Sequence, residues 1–145
     1  MGGENSKKSG EIGEKIAERI LNLIGWKNPF SGFNVDCINN KEHKLKGREE
    51  RKTHGIDLYF RYKCPLSDRI QENVVISVKN RDSYPKGENG KRSEAKEFLR
   101  ELSQSIECLL KSQIYKENKI AGIRQIDNAG VLFWINKNGN DDDEV

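Results

Sequence analysis

Asp57, Ser77 and Lys79 are the residues of this chain whose types and spacing could best do chemistry together. Asp57 follows Gly55-Ile56 at the head of one strand-like run, and Ser77-Val78-Lys79 closes the next. If the two runs pair as a hairpin, a carboxylate, a hydroxyl and an ammonium converge on one small patch. Such a patch can hold a divalent cation beside a phosphodiester and stabilise the charge that develops on cleavage.

The elements that must position these groups are legible in the hydrophobic pattern. Ile56, Leu58, Phe60 and Tyr62 alternate with Gly55, Asp57, Tyr59 and Arg61, which predicts a strand with one apolar face and Asp57 on the other. Val74, Ile76 and Val78 alternate in the same way with Val75, Ser77 and Lys79. Residues 63–72, with Pro65, Ser67 and Asp68, supply the turn between them. Pairing Tyr62 with Asn73 sets Asp57 opposite Val78, with Ser77 and Lys79 as its diagonal neighbours, and a slip of one or two residues keeps the groups close.

Upstream, residues 1–10 are polar and glycine-rich and read as a flexible leader. Residues 11–25 predict an amphipathic helix with Ile12, Ile16, Ile20, Leu23 and Ile24 as its stripe, stopped by Gly25. Residues 33–38 predict a strand. Downstream, residues 80–92 read as a loop, and a helix from Ser93 or Glu94 to about Glu117 buries Phe98, Leu102, Ile106, Leu109 and Leu110. The uniformly apolar run 131–135 predicts a central strand. The fold class is therefore α/β, with helices flanking a sheet.

At 145 residues, a third of them charged and a third apolar, the chain fits one domain with a modest core. No apolar stretch reaches membrane-spanning length, and the polar amino terminus is unlike a secretory signal. Three scattered cysteines point to a reduced, cytoplasmic protein. Cys37, His43, His54 and Cys64 are donors suited to zinc, but the absence of a close Cys-x-x-Cys or His-x-x-x-His pair argues against a site. The net charge of +3 includes four acids at 141–144, so the rest is more basic than the total suggests. Lys41, Lys44, Lys46, Arg48, Arg51 and Lys52 make one basic group, and Lys79, Arg81, Lys86, Lys91 and Arg92 another. Both favour a polyanionic partner, although a mixed run such as 41–52 also suits a solvated loop.

Three short motifs resemble the PD-(D/E)xK nuclease superfamily, whose members share the restriction-endonuclease-like fold. Gly13-Glu14, in a Gly-Glu-x-x-Ala helix, looks like the helix that carries a Glu in many members. Gly55-Ile56-Asp57 looks like the strand bearing the metal-binding aspartate, and Val75-Ile76-Ser77-Val78-Lys79 like the strand ending in (D/E)xK. The likeness spans roughly residues 9 to 136 and implies a mixed central β-sheet flanked by helices. The domain would run over 11–137, with 138–145 an acidic tail or the start of a linker to a further domain.

The resemblance implies a Mg²⁺- or Mn²⁺-dependent endonuclease acting on DNA, in the manner of a bacterial restriction or antiphage effector. Asp57, the carbonyl of Val78 and Glu14 would serve the metal, and Lys79 the attacking water and the phosphate. Position 77 departs from the family, with Ser where Glu or Asp is usual. A subset of restriction enzymes has Ser-x-Lys and restores the carboxylate from the following helix, which points to Glu94, with Glu97 second. Many members work as homodimers or in larger complexes. Singly, Asp57 reads equally as a capping residue, Lys79 as a solvated strand end and Glu14 as a surface helical acid; their joint order carries the resemblance. The alternatives are a catalytically degenerate nucleic-acid-binding module and a protein-interaction subunit.

Overall fold

A computed structural model describes residues 2–137 of the chain. Helix α1 spans Gly2–Leu23 and is followed by β1 (Phe30–Asp36), β2 (Thr53–Lys63), β3 (Ile70–Arg81), α2 (Glu88–Lys111), α3 (Gln113–Glu117) and β4 (Gln125–Asn136). The four strands form one sheet in sequence order. β1, β2 and β3 are antiparallel neighbours, and β4 joins β3 in parallel after the α2 crossover. This is the expected mixed sheet flanked by helices. No described helix is long and apolar enough to cross a membrane.

The two faces of the sheet carry separate cores. Val35, Ile56, Tyr59 and Val75 pack with Leu102, Cys108 and Leu109 of α2. Leu58, Val74 and Ile76 pack with Ala17 and Leu21 of α1. β4 is an edge strand rather than a central one. Its apolar run has another cause: Leu132 packs on the α2 side while Val131 and Phe133 pack on the α1 side. A strand covered on both faces reads as continuously apolar wherever it lies in the sheet.

Several elements differ from the sequence expectation. Residues 2–10, read as a leader, are the first turns of α1; residues 138–145 lie outside the described residues. The stripe Ile12, Ile16, Ile20, Leu23 and Ile24 is exposed, and α1 buries Gly13, Ala17 and Leu21 instead. Close approach decides this choice: a Cβ on Gly13 would lie 2.9 Å from the Asn80 Cβ and 3.1 Å from a Val78 methyl. The helix expected over 93–117 begins five residues earlier and breaks at Ser112, which takes an extended backbone. There the Ser112 hydroxyl accepts the Tyr115 N–H at 3.2 Å and restarts the chain as α3.

The hairpin register is shifted by one. Tyr62 faces Glu72 and Leu58 faces Ile76, so the same register carried on sets Asp57 opposite Ser77. Strict alternation in β2 also fails. Ile56 and Tyr59, three residues apart, share the α2-side core, while Leu58 points to α1. The irregularity sits beside Gly32, whose φ of +64° interrupts β1 between the pairs Ser31↔Leu58 and Phe33↔Ile56.

Candidate active site

Asp57 occupies the point where β2 and β3 part. Beyond the last β2–β3 pair at this end, Leu58↔Ile76, its carboxylate accepts the Val78 N–H at 2.7 Å. In a strand the N–H and C=O of one residue face the same neighbour, so the Val78 carbonyl looks the same way. The opening holds a pocket of about 230 Å³ whose lining includes Arg51, Asp57, Ser77, Lys79, Glu101 and Ser105.

Lys79 is held from two sides. Its ammonium is 3.0 Å from Glu101 Oε2 and 5.2 Å from the centre of the Phe98 ring. Lys79 and Glu101 are 22% and 30% exposed, so solvent reaches the pair without dispersing it. Arg51 lies near the end of the charged excursion of residues 38–52 between β1 and β2, and its Nε donates to the Thr53 carbonyl at 3.0 Å. One of its terminal nitrogens, Nη1, is buried with no hydrogen-bond partner among the described residues.

The electrostatics are those of partly buried acids beside a lysine. Burial pushes the Asp57 carboxyl above its ordinary range; the Val78 N–H, Lys79 and the Ser77 hydroxyl pull it down, and Glu101 pushes it up again. Glu14 is raised as well, first by burial and then by the charge of Asp57, with Glu18 and Glu11 adding to it. Thus α1, seated closely on β3 through Gly13, brings a third carboxylate to the neighbourhood of Asp57.

Glu94 lies elsewhere. It faces Arg81 at 3.6 Å and is absent from the pocket lining. Glu97 pairs with Arg100 at 2.7 Å on the exposed side of α2. The α2 acid that lines the pocket is Glu101, seven residues and so about two turns after Glu94. The helical spacing pointed to Glu94 and set Glu101 with Glu97 and Arg100 on the solvent side, whereas Glu101 lines the pocket. Arg51 was visible only as one member of a basic run, with nothing to single it out.

A family model describing the GAPS4 protein PD-(D/E)XK nuclease domain matches residues 1–145. The chain belongs to this family. It is a nuclease domain of the PD-(D/E)XK superfamily, and its mixed sheet with flanking helices agrees with the restriction-endonuclease-like fold. No curated protein and no solved structure matches the chain.

Proposed function

We propose that this nuclease domain hydrolyses phosphodiester bonds in DNA with the help of Mg²⁺ or Mn²⁺. One observation carries the reading: Asp57, Ser77, Lys79 and Glu101 line a single pocket, with Glu14 electrostatically coupled to Asp57. The residues fit a hard divalent cation. Asp57 and Glu101 line the pocket with Glu14 close enough to feel the charge of Asp57, and burial, the chief cause of the raised Asp57 and Glu14 carboxyls, would be offset for the ionised forms by a bound cation. Asp57, Glu101 and the Val78 carbonyl would hold the ion, with Glu14 reaching it through water; oxygen donors of this kind suit Mg²⁺. When bound, the ion supplies Lewis-acid polarisation of the phosphate and a more acidic water.

The chain's own residues do the rest. Lys79 orients the attacking water and stabilises charge on the phosphate through Nζ. Ser77 holds the Asp57 carboxylate through its hydroxyl and replaces the usual acid only in position, not in charge. Glu101 takes the part that sequence spacing gave to Glu94. Arg51, with an unpartnered buried nitrogen at the pocket wall, is suited to a phosphate oxygen. Service in a bacterial restriction or antiphage system, in the cytoplasm, follows by analogy with where such domains occur.

The test is digestion of supercoiled plasmid and of single-stranded DNA with Mg²⁺, with Mn²⁺ and with EDTA. We expect nicking that EDTA abolishes, and a loss of roughly a hundredfold or more in Asp57→Ala and Lys79→Ala. Undiminished cleavage by pure, folded Asp57→Ala would overturn the assignment. The serine at position 77 favours one second reading, a degenerate module that binds nucleic acid without cutting it. DNA retention with no cleavage under any metal would select that reading.

A further inference from the structure

We propose that Cys37, His43, His54 and Cys108 form a structural zinc site, separate from the acidic pocket. All four are buried, at 7%, 4%, 0% and 1% exposure, and one ligand atom from each lies within 4.8 Å of all the others. The three separations that meet at His43 Nδ1 match edges of a zinc tetrahedron. His43 Nδ1 is 3.3 Å from His54 Nε2 and 3.4 Å from each of the two Sγ atoms. Zinc at its usual bond lengths requires edges of about 3.3 Å between nitrogens and about 3.6 Å between nitrogen and sulfur.

The outer hydrogen bonds supply a second, independent argument. Ser105 donates its hydroxyl hydrogen to the Glu101 carbonyl at 2.8 Å, so towards His54 Nδ1, 3.4 Å away, it can only accept. His54 is therefore protonated at Nδ1, and its Nε2 carries a lone pair. His43 Nε2 faces the Glu107 carboxylate at 3.2 Å and must be the protonated nitrogen there, so a neutral His43 also turns a lone pair inward from Nδ1. Both inward lone pairs face the space shared with the two Sγ atoms, which a metal ion would fill once the thiols ionise. Each imidazole is thus oriented by its outer nitrogen, one on a carboxylate and one on a hydroxyl, as ligating histidines are.

The donor set selects the metal. Two thiolates and two imidazoles suit zinc and not Mg²⁺. Binding releases both thiol protons, and the two thiolates neutralise the ion. Residue types alone offered Cys64 as the fourth donor, and the sequence spacing argued against any site; Cys64 sits at the β2–β3 turn, and Cys108 comes instead from α2. The four ligands join the end of β1, the charged excursion, β2 and α2. Closure of this site holds residues 38–52, which have no helix or strand of their own, against α2. Arg51 and Ser105, which line the acidic pocket, are attached to the same staple.

The experiment is native mass spectrometry and elemental analysis of the untagged full chain, purified under reducing conditions without chelator. About one zinc per chain is expected. Exchange into Co²⁺ should give a thiolate-to-cobalt charge-transfer band with tetrahedral d–d absorption. Stepwise mercurial titration should release zinc in step with thiol modification, and Cys64→Ser should keep the full complement, because Cys64 is not a ligand. Cys108→Ser should lose the metal or the fold, so the wild-type measurements decide. A folded wild-type chain without zinc and without the cobalt band, or a Cys37–Cys108 disulfide under reducing conditions, would overturn the proposal.

Discussion

Asp57 is held by a backbone amide, a hydroxyl and an ammonium, yet its carboxyl remains raised because burial and Glu101 outweigh them. A buried carboxylate of this kind gains from a bound cation, and which second acid would share that cation therefore matters. Glu101→Gln should lower metal-dependent cleavage roughly a hundredfold, as removal of a charge-stabilising group at a reacting centre does. Glu94→Gln should change it only a few-fold, since Glu94 is engaged with Arg81. Parallel rate measurements on the two variants decide the point. If Glu94→Gln proves the crippled one, the assignment to Glu101 is wrong.

At the scale of elements, the seat of α1 on β3 sets where Glu14 lies, and Gly13 sets the seat. Replacing an interior helical glycine by alanine ordinarily stabilises by roughly 0.5–1 kcal/mol. At Gly10, where a Cβ would meet nothing within 4 Å, that gain is expected. At Gly13 the new methyl would press on the Asn80 Cβ, so the sign should reverse, with a loss of about 1–3 kcal/mol. Urea unfolding of Gly10→Ala and Gly13→Ala checks this pair, and equal midpoints would mean that α1 sits further from β3 than described. On the other face, Leu109→Ala in α2 removes a 1% exposed side chain of the larger core and should cost about 2–5 kcal/mol by the same assay.

For the molecule as a whole, the basic groups 41–52 and 79–92 both reach the pocket, through Arg51 and Lys79. Retention of a duplex by counterion release then requires affinity to fall steeply with salt. Each lysine lost from a real phosphate contact should lower the log–log slope by about one, which fluorescence anisotropy over a salt series can read with Lys44→Ala and Lys46→Ala. Affinity that does not change with salt would remove nucleic acid as the partner. The stripe of Ile12, Ile16 and Ile20 on α1 is 53%, 38% and 41% exposed, with Glu11, Lys15, Glu18 and Arg19 beside it. Apolar residues set among charges of both signs suit a two-fold contact between copies. Sedimentation equilibrium should therefore show a dimer that Ile16→Glu dissociates; a wild-type monomer at every concentration would exclude it.

Local order was legible in the sequence because alternation and helical periodicity are properties of neighbouring residues. The β2–β3 hairpin, the convergence of Asp57, Ser77 and Lys79, and the apolar face of α2 around Phe98, Leu102 and Leu109 all follow from periods of two and 3.6. A one-residue register error left those groups together because they lie at the end of the hairpin, where the strands part. Other choices belonged to the tertiary structure. Four exposed apolar residues, Ile12, Ile16, Ile20 and Leu23, made the louder stripe on α1, but the small residues Gly13 and Ala17 let the helix lie flat on β3. Glu94 and Glu101 are two turns apart on α2, and the packing of that helix sets Glu101 over the pocket and Glu94 beside Arg81. Cys37, His43, His54 and Cys108 come from separate elements, and no spacing along the chain encodes a meeting that depends on how the crossover helix packs over the sheet.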